Sequence, residues 1–183
     1  MALVRFINNP NTLKLDGFRS IKSVTLGPYW IPAPPHNTFS IMQQAFNYRR
    51  GEPTIMLVSR TQPLAANDAE AFRDVRANGT HDITDREWKE LVPVLGEQAD
   101  HDLFTLKVSE VMDWNGKLVI HNEGEYVDFQ LRTFSLFVDA DDSGQFVEEI
   151  IYQAPRGSYE AYLNEAMLGL QSIEWHSLHS FLK

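Results

Sequence analysis

The chain has 183 residues, with 25 acidic and 16 basic side chains, a formal net charge of -9 and no cysteine. That length allows one well-filled core. Without cysteine there are no disulfides, thiolate metal sites or thiol nucleophiles, and the acidity opposes nucleic acid, whose binding takes a substantial Lys/Arg footprint.

Two short strands are expected at Leu3–Ile7 and Ser20–Leu26, set apart by Asn8-Asn-Pro-Asn and Leu15-Asp-Gly turn signals and able to form an edge pair. Gly27-Pro-Tyr-Trp-Ile-Pro-Ala-Pro-Pro35 follows. Its four prolines remove amide donors and argue against a helix or a central strand, with Tyr29 and Trp30 as loop anchors. Thr38–Asn47 fits helix and strand alike. Thr54-Ile-Met-Leu-Val58 is continuously apolar, as a central strand is. A helix is expected over Pro63–Asn78, capped by Asn67 or Asp68 and ended by Gly79. A second runs over Thr84–Leu91, where Thr84 and Glu87 make a capping box and Pro93 limits the length or forces a break.

From Leu103 the period becomes two, with Phe104, Leu106 and Val108 on one face. Asn115-Gly turns the chain into Lys117–His121, and Gly124 marks another transition. Tyr126, Phe129, Leu131, Phe134, Leu136 and Val138 follow, with a register correction near Phe129, and Asp139-Ala-Asp-Asp-Ser-Gly144 turns into Gln145–Gln153. These turns are too short for parallel crossovers, so a four-strand antiparallel meander is expected. The last helix, Ser158–Ser172, carries Tyr159, Tyr162 or Leu163, Ala166, Leu170 and Ile173 on one stripe, with Ser158 as N-cap. Gly169 weakens a helix by up to about 1 kcal/mol relative to alanine, which implies close packing there.

Charge is local. Residues 100–149 hold twelve acids against Lys107, Lys117 and Arg132, which accounts for the whole net charge. These acids alternate with apolar residues, so they read as an acidic sheet face that suits a basic partner. Asp139-Ala-Asp-Asp-Ser-Gly resembles the start of a calcium loop, but the twelfth position is Ile150 and strands, not helices, flank it. A solvated hairpin turn is expected there and no metal. Glu148 and Glu149 are strand neighbours pointing to opposite faces, so they do not address one substrate together. The histidines are dispersed, and neither a nucleophile elbow nor a phosphate-binding glycine loop is present. No cofactor and no catalytic residue are assigned.

The order of elements from Leu103 to Trp175, strands ending in Gln145-Phe-Val-Glu-Glu-Ile-Ile-Tyr-Gln, then an amphipathic helix and Ser172-Ile-Glu-Trp, resembles the bacterial Mog1/PsbP-like superfold with its DcrB-related class of toxin-immunity or secretion-associated proteins. The resemblance implies an α+β fold, an antiparallel sheet covered by helices in an α/β/α arrangement. It also implies a non-enzymatic binding scaffold. Joined to the acidic face, this gives the leading expectation of a bacterial immunity protein that neutralises a basic secreted or contact-dependent toxin. A secretion-associated adaptor or chaperone for an apolar helix is second, and a hydrolase third. The partner-binding residues expected are Asp139, Asp141, Asp142, Glu148 and Glu149 as the charged edge, with Tyr126, Phe129 and Tyr152 as aromatic anchors. Neutralising Asp139, Asp141, Glu148 and Glu149 together is expected to cost little stability, as exposed charges contribute only about 0 to 1 kcal/mol. No run approaches the roughly 20 apolar residues of a membrane span, and Met1-Ala-Leu-Val-Arg-Phe lacks a signal-peptide core, so one cytoplasmic domain over residues 1–183 is expected.

Overall fold

The computed structural model describes residues 3–7, 9–16, 18–27, 30–32, 42–48 and 53–176, with side chains described within 18–27, 30 and 53–176. Tyr29, the Thr38–Ile41 part of the ambiguous segment, and His36 and His179 lie outside the described residues. In chain order the strands of the first third are β1 (Leu3–Ile7), β2 (Asn9–Asp16), β3 (Ile21–Thr25), β4 (Trp30–Pro32), β5 (Met42–Tyr48) and β6 (Thr54–Ser59). Helix α1 (Ala66–Ala77), β7 (His81–Asp82), helix α2 (Asp85–Leu95) and a 3-10 turn at Gly96–Ala99 come next. The remainder is β8 (Phe104–Trp114), β9 (Lys117–Tyr126), β10 (Leu131–Asp139), β11 (Val147–Pro155), helix α3 (Tyr159–Gln171) and β12 (Glu174–Trp175).

The strands form an eight-stranded sheet in the order β4-β5-β6-β11-β10-β9-β8-β7 and a smaller one in the order β1-β2-β3-β12. All pairings are antiparallel. The expected meander is β8 to β11, and β6 takes the central place its apolar run requires, between β5 and β11. Two hydrophobic layers sandwich the large sheet. On one face Phe72 and Val75 of α1 and Leu91 and Val94 of α2 pack on Val111, Ile120, Phe137 and Val147. On the other, Ala166 and Leu170 of α3 with Ile21 and Val24 of the small sheet and Leu26 just after it cover Leu57, Leu136, Ile150 and Tyr152. Strand β10 is buried on both faces from Thr133 to Asp139, so polar Thr133 and Ser135 are buried along with its apolar residues. Burying side chains of this size contributes about 1.5–3 kcal/mol each. The result is α+β, with the sheet between helices α1 and α2 on one side and α3 on the other.

Several expectations are corrected. The strands at Leu3–Ile7 and Ile21–Thr25 do not pair with each other; β2 lies between them, bonded to both. The turn signals around Asn8 were too dense to suggest a strand, but Leu13 and Leu15 take ladder positions opposite Phe6 and Val4. Helix α2 runs through Pro93 to Leu95. The amide that proline lacks falls in the last turn, and Arg60 donates to the carbonyls of Pro93 and Val94 at 3.1 and 2.6 Å. Ala65, not Asn67 or Asp68, is the N-cap of α1 and makes no side-chain cap bond. The Thr84–Glu87 capping box is present. Gly124 ends nothing: it sits inside β9, where a Cβ would meet the Phe104 ring at 2.4 Å. The break instead falls at residues 127–130, so Phe129 belongs to a turn. Gly169 does pack closely, its missing Cβ facing Leu26 Cδ2 at 2.7 Å.

Candidate functional site

The acidic hairpin end was expected to present its charges to a partner, and much of it turns inward. Asp139 is fully buried, paired with Arg76 of α1, and accepts the Gly144 amide at 2.8 Å. Burial pulls the Arg76 pKa below its ordinary value, and the Asp139 charge opposes that pull. Glu148 is also fully buried. Its carboxylate accepts the Ser20 hydroxyl and the Arg19 and Ser20 amides, tying the small sheet to the large one. Burial pushes its pKa up, against these donors. Tyr152 lies wholly in the core, its hydroxyl donating to the Tyr159 carbonyl at 2.9 Å. These three side chains are structural for one reason: each acid or hydroxyl meets donors or acceptors supplied by another segment, and a buried polar group persists only when so partnered. Asp141 is half-buried and bonded to Arg19 at 3.1 Å, while Asp142 is exposed and pairs with Lys117 at 3.1 Å. The tip of the hairpin turn, at Asp142 and Gln145, is exposed, while its base at Asp139 and Gly144 is buried.

Glu149, Tyr126 and Phe129 come together elsewhere. They line a groove of about 770 Å³ on the face that carries α1 and α2. Ladder register fixes the floor: Met56 lies opposite Ile151, and Val58 opposite Glu149, which is opposite Phe137 of the α1/α2 core. Leu131 of β10 continues the floor, and Leu95 with the 3-10 turn forms a wall. Among the described residues no helix lies over Met56, Ile151 and Leu131.

Several polar groups of the groove are bonded to neighbouring elements. At one end Arg60 Nε donates to Glu149 Oε1 at 2.7 Å while its other nitrogens hold the end of α2. Along the wall, buried Gln98 donates to Ser135 Oγ at 2.7 Å and accepts from Asn122 Nδ2 at 3.2 Å, and Ser109 donates to Asn122 at 2.8 Å. The pKa of Tyr126 is pushed up to about 12 by burial and then by the charges of Glu97 and Glu149. At pH 7 the phenol is neutral. At the other end, the Val127 amide donates to the Leu103 carbonyl at 2.9 Å, joining two loops that expose Leu103, Val127 and Phe129. Phe129 is 72% exposed. Exposed Glu97, Asp100, Asp102 and Asp128 surround these apolar tips.

The floor was missed in sequence because Met56 and Ile151 sit in runs that are apolar on both faces, the mark of strands covered on both sides. Phe129 and Tyr126 were singled out, but as members of one edge with the buried hairpin. Other titratable groups pair locally. His81 lies between the Gly79 carbonyl at 2.7 Å and Glu87 at 3.0 Å, and His121 meets Glu110 at 3.0 Å. Among the described residues no cluster of three or more His, Asp or Glu side chains is arranged to hold a metal ion.

Solved structures similar to this chain include two from bacteria. The solution structure of cyanobacterial PsbP (CyanoP) from Synechocystis sp. PCC 6803 matches with a TM-score of 0.48 at 8% identity, covering 96% of this chain and 92% of that one. The crystal structure of LpqN of Mycobacterium tuberculosis, involved in cell envelope biogenesis, matches with a TM-score of 0.49 at 12% identity, covering 97% and 91%. The likeness brings no residue role with it. No protein-family model matches the sequence, and no curated protein matches it.

Proposed function

We propose that the protein is a non-enzymatic binding domain whose working face is the groove between β6, β11, β10 and the end of α2. One observation carries this reading: the floor is apolar and half-exposed, while beside it Arg60 is bonded to Glu149 and Gln98 to Ser135 and Asn122. Groups held this way shape and orient a bound surface, and half-exposed Met56, Ile151 and Leu131 offer it apolar area to bury.

The partner class that fits is a basic protein, since the loops beside the groove carry Glu97, Asp100, Asp102 and Asp128. A basic toxin neutralised in the cytoplasm, an immunity role, is the specific form of this reading; a secretion adaptor is the form in which the apolar floor dominates. Among the described residues no helix is long and apolar enough to cross a membrane. Neutralisation is the test. Mixed in equimolar amount with a basic toxin encoded beside it, the protein abolishes toxin activity, and an Ile151→Asp variant with an unchanged circular-dichroism spectrum does not. Full toxin activity beside the parent protein excludes the immunity role. Neutralisation that ignores Ile151→Asp moves the working face away from the groove.

A further inference from the structure

We infer that the occupant of the groove is a basic amphipathic α-helix of a partner protein, laid against Met56, Ile151 and Leu131 with its cationic flank toward the loops at residues 97–102 and 127–130. This rests on the groove being the working face.

The backbone decides the conformation of the occupant. The floor is the middle of a sheet: β6 is bonded on both sides, to β5 and β11, and β11 to β6 and β10. An extended segment lying on it finds no strand edge to pair with, and its amides and carbonyls would be pressed on apolar side chains without partners, at a cost for each. A helix bonds its own backbone and brings an apolar stripe. The same face already accepts helices: α1 and α2 cover Phe137, Ile120 and Val147, and the layer stops where the Gly96–Ala99 turn leaves α2. A third helix beside α2 would continue it over Met56 and Ile151.

The charge decides the sign of the flank. Glu97 lines the groove, and Asp100, Asp102 and Asp128 stand exposed on the two loops joined by the Val127–Leu103 bond. Among the described residues nearby cations are fewer. Arg60 is held by Glu149 and the end of α2, and Arg156 lies 3.8 Å from Glu125. Exposed Phe129 and Leu103 extend the apolar strip between these acids, so lysines or arginines flanking an apolar stripe meet carboxylates while the stripe meets the floor.

A peptide panel tests this. Fluorescently labelled peptides of about 18 residues, five helical turns, carry leucines on one face and lysines on the other. A second peptide replaces lysine by glutamate, and a third keeps lysine but has a central proline that breaks the helix. Anisotropy titrations of the full chain should show the lysine helix binding at least about tenfold tighter than either. Ile151→Asp should weaken it about tenfold or more, and E97Q/D128N should weaken it while flattening the dependence on salt. Equal or tighter binding of the glutamate peptide overturns the basic occupant, and equal binding of the proline peptide overturns the helix; either leaves the groove as the working face. Binding that ignores both Ile151→Asp and the surface variant Phe129→Ala, or no binding of any peptide, overturns the groove itself.

Discussion

The two acidic ends of the sheet put the same residue types to opposite uses. At the β10–β11 hairpin, Asp139 and Glu148 meet a buried guanidinium and a set of amides from distant segments, and they lock layers together. At the loops beside the groove, Glu97, Asp100, Asp102 and Asp128 stand exposed among Leu103, Val127 and Phe129. An acid becomes structural where the tertiary fold supplies donors out of water and remains part of the surface field where water screens it.

Breaking the hairpin should have the largest effect. Asp139→Ala leaves Arg76 buried without its partner and should cost about 3–5 kcal/mol in urea unfolding. The double change Asp139→Leu with Arg76→Met should recover much of that loss, because a buried pair exchanged for packed apolar groups is often close to neutral. A double variant as unstable as the single one would show that the pair is not the cause. Glu148→Ala removes charge-assisted bonds to the Ser20 hydroxyl and the Arg19 and Ser20 amides, and should cost about 1.5–3 kcal/mol by the same measurement. The four-residue neutralisation expected from sequence to be nearly free therefore should not be, since it includes both buried acids.

A smaller effect is expected where α1 meets α2. Glu87 closes the capping box on Thr84 and bonds His81, and its pKa is lowered to about 2, first by the Thr84 amide. That depressed value means its contribution is complete above its ordinary 4.5 and is lost as pH falls toward about 2. His81 faces two acceptors, and its raised pKa comes first from the Gly79 carbonyl. Its contribution is complete below the ordinary 6.5 and is lost as pH rises through the raised folded value. Thermal melts across this range should show Thr84→Ala lowering stability by about 1 kcal/mol near neutral pH. His81→Phe should remove the decline on the alkaline side, and a decline unchanged in that variant would assign it to another group.

The smallest stability effect belongs to the groove loops. E97Q/D128N and Phe129→Ala should each leave unfolding within about 0.5 kcal/mol of the parent, since their side chains are exposed. A larger loss would mean that these loops hold the fold together as the hairpin does, and the contrast between the two ends would disappear.

The period-two pattern from Leu103 to Gln153 with its short turns determined the meander, the continuous run at Thr54–Val58 determined a central strand, and Thr84 with Glu87 determined where α2 begins. These features are local in the chain, and local spacing carries them. Ladder register and burial were decided by tertiary structure. Alternation placed Glu148 and Glu149 on opposite faces, but only packing made one face a seam with the small sheet and left the other at the edge of a groove. Phe129 shows the same division: its size marked it as an anchor, while its place in a turn beside Leu103 depended on where β9 ends. Whether an acid is wired or free, and whether an apolar floor is covered, depends on segments far away in sequence, 129 residues in the case of Arg19 and Glu148. A one-dimensional pattern reports which face a side chain takes and not what the fold brings against that face.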